Sequence, residues 1–331
     1  MVNTEPVTTA WLRAQPKAEL HIHLEGSIPP ALALGLARKH GLPLPGIEDG
    51  VEGVARHFIF EDFERFIRVF LAVSDCLREE EDFYVAVVGL AERLAFQGVV
   101  ATEVTVTAMT HLRRGVSETA LLDGLRRGRE EASRRFGVQV AYVFDIVCLF
   151  PEQAESTLGV ALRGKDAGVV GLGLAGPEAR SAPVSAFEPT FERAAREGLR
   201  CVPHAGEHGD ARRIREVVER LHATRIGHGV RCLEDPDVVA LLRDRGVALE
   251  VCPTSNVLLG VAPSLVQHPL PALIDAGLRV TVASDDPALF GTDMLGELER
   301  CSAAFGWNRA TVAKLCAEGV ALAGVALDHS L

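Results

Sequence analysis

Eight short runs rich in apolar and β-branched residues recur along the chain, and stretches with helical periodicity lie between them. The runs are Ala18–Leu24, Val99–Val106, Gln139–Val147, Val169–Leu174, Leu199–His204, Thr224–His228, Val247–Cys252 and Arg279–Ser284. Near-continuous apolar runs are typical of parallel strands that are buried on both faces. Eight strand-then-helix units in order predict an α/β fold, the (β/α)8 TIM barrel.

The segments between the runs carry start signals for helices. Ser117 is a predicted N-cap for a helix over Ser117–Arg135, and Asp210–His222 and Pro236–Arg245 have the same helical spacing. Each of these helices would connect one strand to the next.

The longest gap separates the first two strands, and we interpret it as an insertion over about residues 28–97. It contains a Pro/Gly-rich stretch at 41–50 and then helical patterns over Glu61–Val73 and Glu81–Phe96. We expect these helices to lie over the barrel mouth, where a moving lid is one interpretation. Further helices are expected at about 293–331, and the whole chain, 1–331, is expected to form one domain.

Composition narrows the range of partners. The 331 residues are 48% hydrophobic and 24% charged, and 34 Lys and Arg against 45 Asp and Glu give a net charge of −11. This charge argues against bulk binding to nucleic acid or to an anionic membrane, which leaves a small molecule as the expected partner. The oligomeric state stays open.

The cysteines and the N-terminus bear on the compartment. Seven scattered cysteines form no Cys-x-x-Cys pair, which favours reduced thiols in a cytoplasmic protein. Residues Met1–Gln15 contain no apolar signal core. A cytoplasmic location is therefore expected.

Polar side chains cluster at the ends of the predicted strands, where this fold places its chemistry. His21 and His23 are two apart on one strand, so both side chains can point to the same face. A buried structural pair is the alternative, but two buried imidazoles would each need a partner. With His204 and Asp285 at other strand ends, the set suits zinc or a similar ion.

Three further residues near these ends could take part in catalysis. Glu207, three residues after His204, is a candidate general acid or base, although a solvated glutamate at a helix start is the alternative. His228 is either a core histidine or a group beside an activated water. Asp286 is either a functional carboxylate or a turn cap.

The segment after the fourth strand, Gly171-Leu-Gly-Leu-Ala-Gly176, matches the spacing of a dinucleotide-binding loop. That fingerprint should open a helix, whereas Pro177 and a loop-like stretch follow here, so a nicotinamide or flavin site is not expected. The same strand end has no lysine to bridge two metals, and Glu178 lies beyond Pro177. We therefore expect one ion per chain, and we expect the glycines to let a flat ligand approach the backbone.

Five segments resemble the adenosine/adenine deaminase family, a branch of the metal-dependent amidohydrolases. They are PKAELHIHLEGS (16–27), VPHAGE (202–207), RIGHGV (225–230), CPTSN (252–256) and SDDPALFGT (284–292). Carried over by motif, the family's zinc ligands match His21, His23, His204 and Asp285, and its catalytic residues match Glu207, His228 and Asp285. Its substrate-binding positions match His23, Glu25, Gly176 and Asp286.

The resemblance implies hydrolytic deamination, in which a 6-aminopurine becomes a 6-oxopurine and ammonia is released. Zinc would activate a water that His228 and Asp285 orient and deprotonate. Glu207 would donate a proton to N1 of the purine, Asp286 would bond N7, and the Gly176 N–H would bind N3.

Departures from the family pattern bear on the substrate. Adenosine deaminases usually carry an aspartate that helps to hold the ribose 5′-hydroxyl, whereas this chain has Glu25 at that position, as adenine deaminases do. A second departure is Gly173 in place of an aspartate. The segments at 103–115 and 290–293 are similar to a bacterial subgroup acting on 5′-modified adenosines such as 6-aminodeoxyfutalosine, a menaquinone precursor. We expect such a substrate first, then adenosine, then adenine.

Two interpretations from other classes stay open. The first is a non-catalytic purine- or metal-binding protein on the same scaffold. The second is a different amidohydrolase with two ions per chain, which a metal count would distinguish from the one-ion deaminase.

Overall fold

Eight parallel strands form one sheet in which each strand pairs with the next one along the chain. A computed structural model of the chain describes residues 5–60 and 63–323. The strands are β1 (Lys17–His23), β2 (Val99–Val106), β3 (Gln139–Val147), β4 (Val169–Ala175), β5 (Arg200–Ala205), β6 (Arg225–His228), β7 (Ala248–Val251) and β8 (Val280–Val282). The predicted (β/α)8 TIM barrel and all eight predicted strands are thereby confirmed.

Residues beyond the last strand complete the barrel. Asp285 pairs with Ile22 of β1 in a parallel bridge, donates its N–H to the His21 carbonyl at 3.0 Å, and accepts from the His23 N–H at 2.8 Å. The eighth strand is shorter than predicted because Ser284 donates its backbone N–H to the Glu19 carboxylate at 2.9 Å instead of to a strand. One predicted metal ligand is therefore part of the barrel closure.

Helices connect the strands. They are α1 (Thr9–Ala14), α2 (Pro30–His40), α3 (Gly50–His57), α4 (Phe63–Ser74), α5 (Glu80–Phe96), α6 (Ala108–Leu112), α7 (Glu118–Phe136), α8 (Ala154–Arg163), α9 (Glu188–Arg196), α10 (Ala211–Arg220), α11 (Pro236–Asp244), α12 (Pro253–Leu258), α13 (Leu270–Asp275), α14 (Pro287–Phe290), α15 (Met294–Phe305) and α16 (Arg309–Leu322). The predicted cap is present, since Ser117 Oγ accepts from the Ala120 N–H at 3.1 Å.

The insertion between β1 and β2 contains α2 to α5. Helices α4 and α5 match the two predicted patterns, although Glu61, where the first was expected to begin, lies outside the described residues. Helices α2 and α3 were not predicted. Helices α15 and α16 were expected near the end, and residues 324–331 fall outside the described part. No helix within the described ranges is long and apolar enough to cross a membrane.

A buried charge network occupies the barrel opposite the mouth. The Arg225 guanidinium contacts the carboxylates of Glu103 and Glu250, and all three side chains are buried. Arg225 Nη1 also donates to the Leu322 carbonyl at the end of α16, at 3.3 Å. Because a buried charge is costly unless it is paired, this network fixes Glu250 beneath the strand ends.

Candidate metal and purine site

Three histidines and one aspartate converge at the carboxyl ends of β1, β5 and β8. One ring nitrogen from each of His21, His23 and His204 lies within 4.8 Å of the other two. Asp285 Oδ1 lies 3.4 Å from His21 Nε2 and 3.2 Å from His23 Nε2. The structure thus brings together the four residues that were predicted to bind a metal.

The chemistry of this set fits a divalent metal ion. The buried His21 Nε2 makes no hydrogen bond with any residue in the described ranges. Burial, together with the charges of the neighbouring histidines, holds the pKa of His204 well below its ordinary value, so its ring nitrogen is free to bind a metal. Burial alone would raise the pKa of Asp285, but its close contacts with the His21 and His23 rings hold it well below the ordinary value. Three imidazoles and one carboxylate are a typical donor set for zinc.

Glu250 orients His21 from below. Its Oε2 lies 3.2 Å from His21 Nδ1. Burial raises the pKa of Glu250, but Arg225 and His21 more than offset this and leave it below the ordinary value. An ionised Glu250 accepts a hydrogen bond from the Nδ1–H of His21. The other ring nitrogen of His21, Nε2, then faces the cluster. Sequence reasoning missed Glu250, although an acidic residue within the apolar run VALEVC was a usable signal.

Gly227 of β6 makes room for two of these rings. A Cβ at this position would lie 2.6 Å from His21 Cε1 and 3.1 Å from His204 Cγ. Real Cβ atoms do not approach ring carbons as closely as the first distance, so any side chain here would push the ligands apart.

We therefore expect Gly227→Ala to weaken zinc binding about 10-fold or more, in the range found when groups supporting metal ligands are changed. Competition with a chromophoric chelator measures this affinity. Gly35→Ala is the matched control, because a Cβ there meets no atom within 4 Å. Equal zinc affinity in the two variants would contradict the steric argument.

Glu207 and His228 lie beside the cluster. His228 Nε2 is 3.7 Å from Glu207 Oε1 and 3.9 Å from Asp285 Oδ2. Burial raises the pKa of Glu207, but the adjacent His228 and the hydrogen bond with His208 bring it below the ordinary value, so the group is a carboxylate at neutral pH. His228 and Asp285 have φ angles of +61° and +64°, a region that residues other than glycine rarely adopt. Strain of this kind is found where neighbouring structure holds functional groups in place.

Asp286 and Gly176 line the same cavity. Asp286 is buried and packs against Gly26, where a Cβ would overlap the carboxylate. Burial and the adjacent Asp285 charge raise the pKa of Asp286 well above its ordinary value, which favours the protonated, hydrogen-donating form. Gly176 has a φ of +113°, which a residue with a side chain rarely adopts.

These groups open into a cavity of about 490 Å³ at the mouth of the barrel. It is lined by His23, Gly176, His204, Glu207, His228, Asp285 and Asp286 together with apolar residues of α4 and of the strand ends, among them Phe63, Phe66, Ile67, Phe70, Val147, Leu149 and Phe150. A mostly apolar pocket with a few converging polar groups is typical of a small-molecule site.

Glu25 was predicted to contact the substrate, but it does not line this cavity. Its Oε1 accepts a hydrogen bond from the Thr107 N–H at 3.0 Å and forms another with His111 Nε2 at 2.9 Å. The side chains of Glu25 and His111 are both buried. Burial raises the pKa of Glu25, but the His111 contact brings it below the ordinary value. Glu25 therefore supports Thr107, which does line the cavity. Its contact with substrate stays a prediction.

Asp145 of β3 explains the glycine at position 173. A Cβ on Gly173 would overlap Asp145 Oδ1, so the two neighbouring strands have room for only one carboxylate. Asp145 is buried, and burial raises its pKa to about 7 even though His23 and His21 act to lower it. Sequence reasoning noted the missing aspartate at 173 but missed the carboxylate from the adjacent strand.

Comparison with known proteins agrees with the family resemblance of the sequence motifs. A family model described as adenosine deaminase matches residues 16–330. An aminodeoxyfutalosine deaminase from Streptomyces avermitilis is 39% identical over 291 residues, which cover 87% of this chain and 80% of that protein. An adenine deaminase from Bordetella avium is 37% identical over 312 residues, covering 94% of this chain and 98% of that protein.

A solved structure agrees with the fold over almost the full length. The adenine deaminase from Arthrobacter aurescens matches with a TM-score of 0.89 at 34% identity, covering 95% of both chains. These similarities confirm the resemblance that the sequence motifs carry.

Proposed function

Because the chain belongs to the adenosine deaminase family and is a hydrolytic deaminase, we propose that it removes the 6-amino group of a 5′-modified adenosine. Aminodeoxyfutalosine, the substrate named in the Streptomyces avermitilis relative, is the favoured candidate. Such an activity would place the reaction in menaquinone biosynthesis.

The observation that carries this choice is the environment of Glu25. The family aspartate at this position helps to hold the ribose 5′-hydroxyl, but here Glu25 Oε1 is engaged by His111 and the Thr107 N–H. Oε2 is buried, and Glu25 lies outside the cavity lining. A nucleoside with a free 5′-hydroxyl therefore has no carboxylate partner from this position. A 5′-modified nucleoside needs none.

The outer part of the cavity can take an added 5′ group. Phe150 and Leu71 line it and are 41% and 38% exposed, which places them towards solvent. Phe63 and Phe66, whose rings contact each other, line the same cavity. Apolar and aromatic surface at the mouth suits a substituent that is larger and less polar than a hydroxyl.

Under this proposal His21, His23, His204 and Asp285 hold one zinc ion. When bound, the ion acts as a Lewis acid and lowers the pKa of a water molecule to a value near neutral pH. Asp285 and His228 would bind and orient the water that adds to C6 of the purine. His23 contributes both to the metal set and to the cavity wall.

The remaining groups act on the purine ring. Glu207 is a carboxylate in the free protein, so it takes up a proton first and then donates it to N1. Asp286, whose pKa is raised, donates a hydrogen bond to N7. The Gly176 N–H bonds N3, and the positive φ at this position favours glycine, whose lack of a side chain leaves room for the ring. The amino group takes up the second proton of the added water and leaves C6 as ammonia.

Adenine is a second candidate, because the Bordetella avium and Arthrobacter aurescens relatives are adenine deaminases. We expect kcat/KM for aminodeoxyfutalosine to exceed that for adenosine by about 10-fold and that for adenine by about 100-fold, since each lost substituent removes binding energy from the transition state. Loss of the 6-aminopurine absorbance, with methylthioadenosine included in the panel, measures these rates.

The panel separates the alternatives. Faster turnover of adenine than of any nucleoside would replace the proposed substrate with the second candidate. Binding of all four compounds without ammonia release would favour a non-catalytic binding protein and overturn the proposal.

A further inference from the structure

Three buried polar side chains form a line behind the cavity. His268 Nε2 lies 3.1 Å from Asn256 Oδ1, and Asn256 Nδ2 lies 3.2 Å from His228 Nδ1. The three side chains are at most 3% exposed, and only His228 lines the cavity. His268 precedes α13 and Asn256 lies in α12, so neither comes from a strand end.

One backbone group fixes which atoms donate and which accept hydrogen bonds along these three side chains. The Leu270 N–H donates to His268 Nδ1 at 3.0 Å, and a backbone N–H is always a donor. Burial lowers the pKa of His268 to about 4, so the ring is neutral. A neutral ring that accepts at Nδ1 carries its proton on Nε2, and that proton is donated to Asn256 Oδ1.

The amide of Asn256 fixes which nitrogen of His228 accepts a hydrogen bond. Its oxygen is bonded to His268, so the group that faces His228 is the NH2, which can only donate. His228 Nδ1 is therefore an acceptor. In the neutral ring the proton must then be on Nε2, the nitrogen that lies between Glu207 and Asp285.

We propose that Asn256 and His268 are positioning residues that hold His228 in the Nε2–H tautomer. This inference rests on the proposed deaminase function of the cavity. His228 then donates a hydrogen bond to an oxygen beside Asp285 and cannot accept a proton at that nitrogen while neutral. The proton of the adding water therefore goes to a carboxylate, Asp285 or Glu207.

A purely structural role is the alternative. Asn256 also bonds the Val261 and Ala262 N–H groups, but it does so with its backbone carbonyl, so changing the side chain leaves those bonds in place. A structural role requires that the side chains fill space, whereas the proposed role requires a donor and an acceptor in a fixed order.

The tautomer can be observed directly. In zinc-loaded protein labelled with 15N-histidine, long-range proton–nitrogen spectra identify which ring nitrogen carries the proton, and the His228→Gln variant assigns the signal. We expect His228 to be protonated on Nε2 and not on Nδ1. A proton on Nδ1 would overturn the proposal whatever the His268 variants show.

Variants at His268 test the order of donor and acceptor. Glutamine carries an acceptor and a donor on one rigid amide and can reproduce the two bonds, whereas leucine fills similar space without either. We expect His268→Leu to lower kcat about 10-fold or more with KM changed less than about 3-fold, and His268→Gln to keep most of kcat.

The outcomes also separate this inference from the proposed function. Equal kcat values for the two His268 variants, with zinc content unchanged, would reduce the line to packing and refute the positioning role. A wild-type protein that turns over no purine, yet shows the Nε2–H signal, would instead count against the proposed function alone.

Discussion

Replacing Glu207 with glutamine is expected to lower kcat by about 1,000-fold, within the range found for a positioned general acid or base. The two side chains have nearly the same shape, but the amide cannot take up a proton and pass it to N1. Glu207 lies 3.7 Å from His228, and it groups with His228 and Asp285 rather than with His21, His23 and His204. Zinc content should therefore be unchanged, as measured by metal analysis alongside the steady-state rate.

Glu219→Gln is the matched control, because Glu219 is an exposed residue of α10 that pairs only loosely with Arg215, at 3.9 Å. It should keep wild-type kcat. A Glu207→Gln protein with normal kcat would refute the proton-transfer role. A protein that had lost its zinc would show that Glu207 belongs to the metal set.

The strands could be predicted because the barrel imposes a simple pattern. A strand buried on both faces must be apolar along its length, and runs such as Val99–Val106 and Gln139–Val147 appear with the predicted bounds. The eighth strand came out shorter than predicted, because Glu19 takes the Ser284 N–H. That contact joins residues 265 positions apart in the chain, and no local pattern reports it.

The unpredicted helices have a different cause. Pro29 precedes α2 and Pro30 is its first residue, and the Pro/Gly-rich stretch runs up to the start of α3, so both regions have the composition of loops. Proline is nevertheless compatible with the first turn of a helix, where its missing N–H costs nothing. Composition alone could not distinguish these two uses.

Some residues of the candidate site could be predicted from the sequence, and others could not. The residues at strand ends could be predicted, because the fold sends all of those ends to one rim. Glu250, Asp145 and His268 could not be assigned, since their parts depend on depth in the barrel or on how a loop folds over it. His268 is the clearest case, because its role follows only from three consecutive hydrogen bonds.

Removing the metal is expected to abolish turnover, and about one equivalent of zinc per chain is expected to restore it. The metal-free site holds protons instead. Burial lowers the pKa of His23, but the adjacent Asp286 and the hydrogen bond to Asp285 raise it to about 9. Contacts with Asp285 and Glu250 likewise raise the pKa of His21, although burial lowers it. Both imidazoles are therefore protonated at neutral pH and must lose those protons when zinc binds.

The sign of the pH dependence follows. Because a raised pKa favours the protonated form, zinc affinity should fall as the pH drops below about 9, and binding should release protons. Calorimetric titration in buffers of different ionisation enthalpy measures both the stoichiometry and the proton release. Magnesium is the control, since it prefers six oxygen ligands and should not restore turnover. Two equivalents of zinc, or binding without proton release, would contradict the one-ion site built from His21, His23, His204 and Asp285.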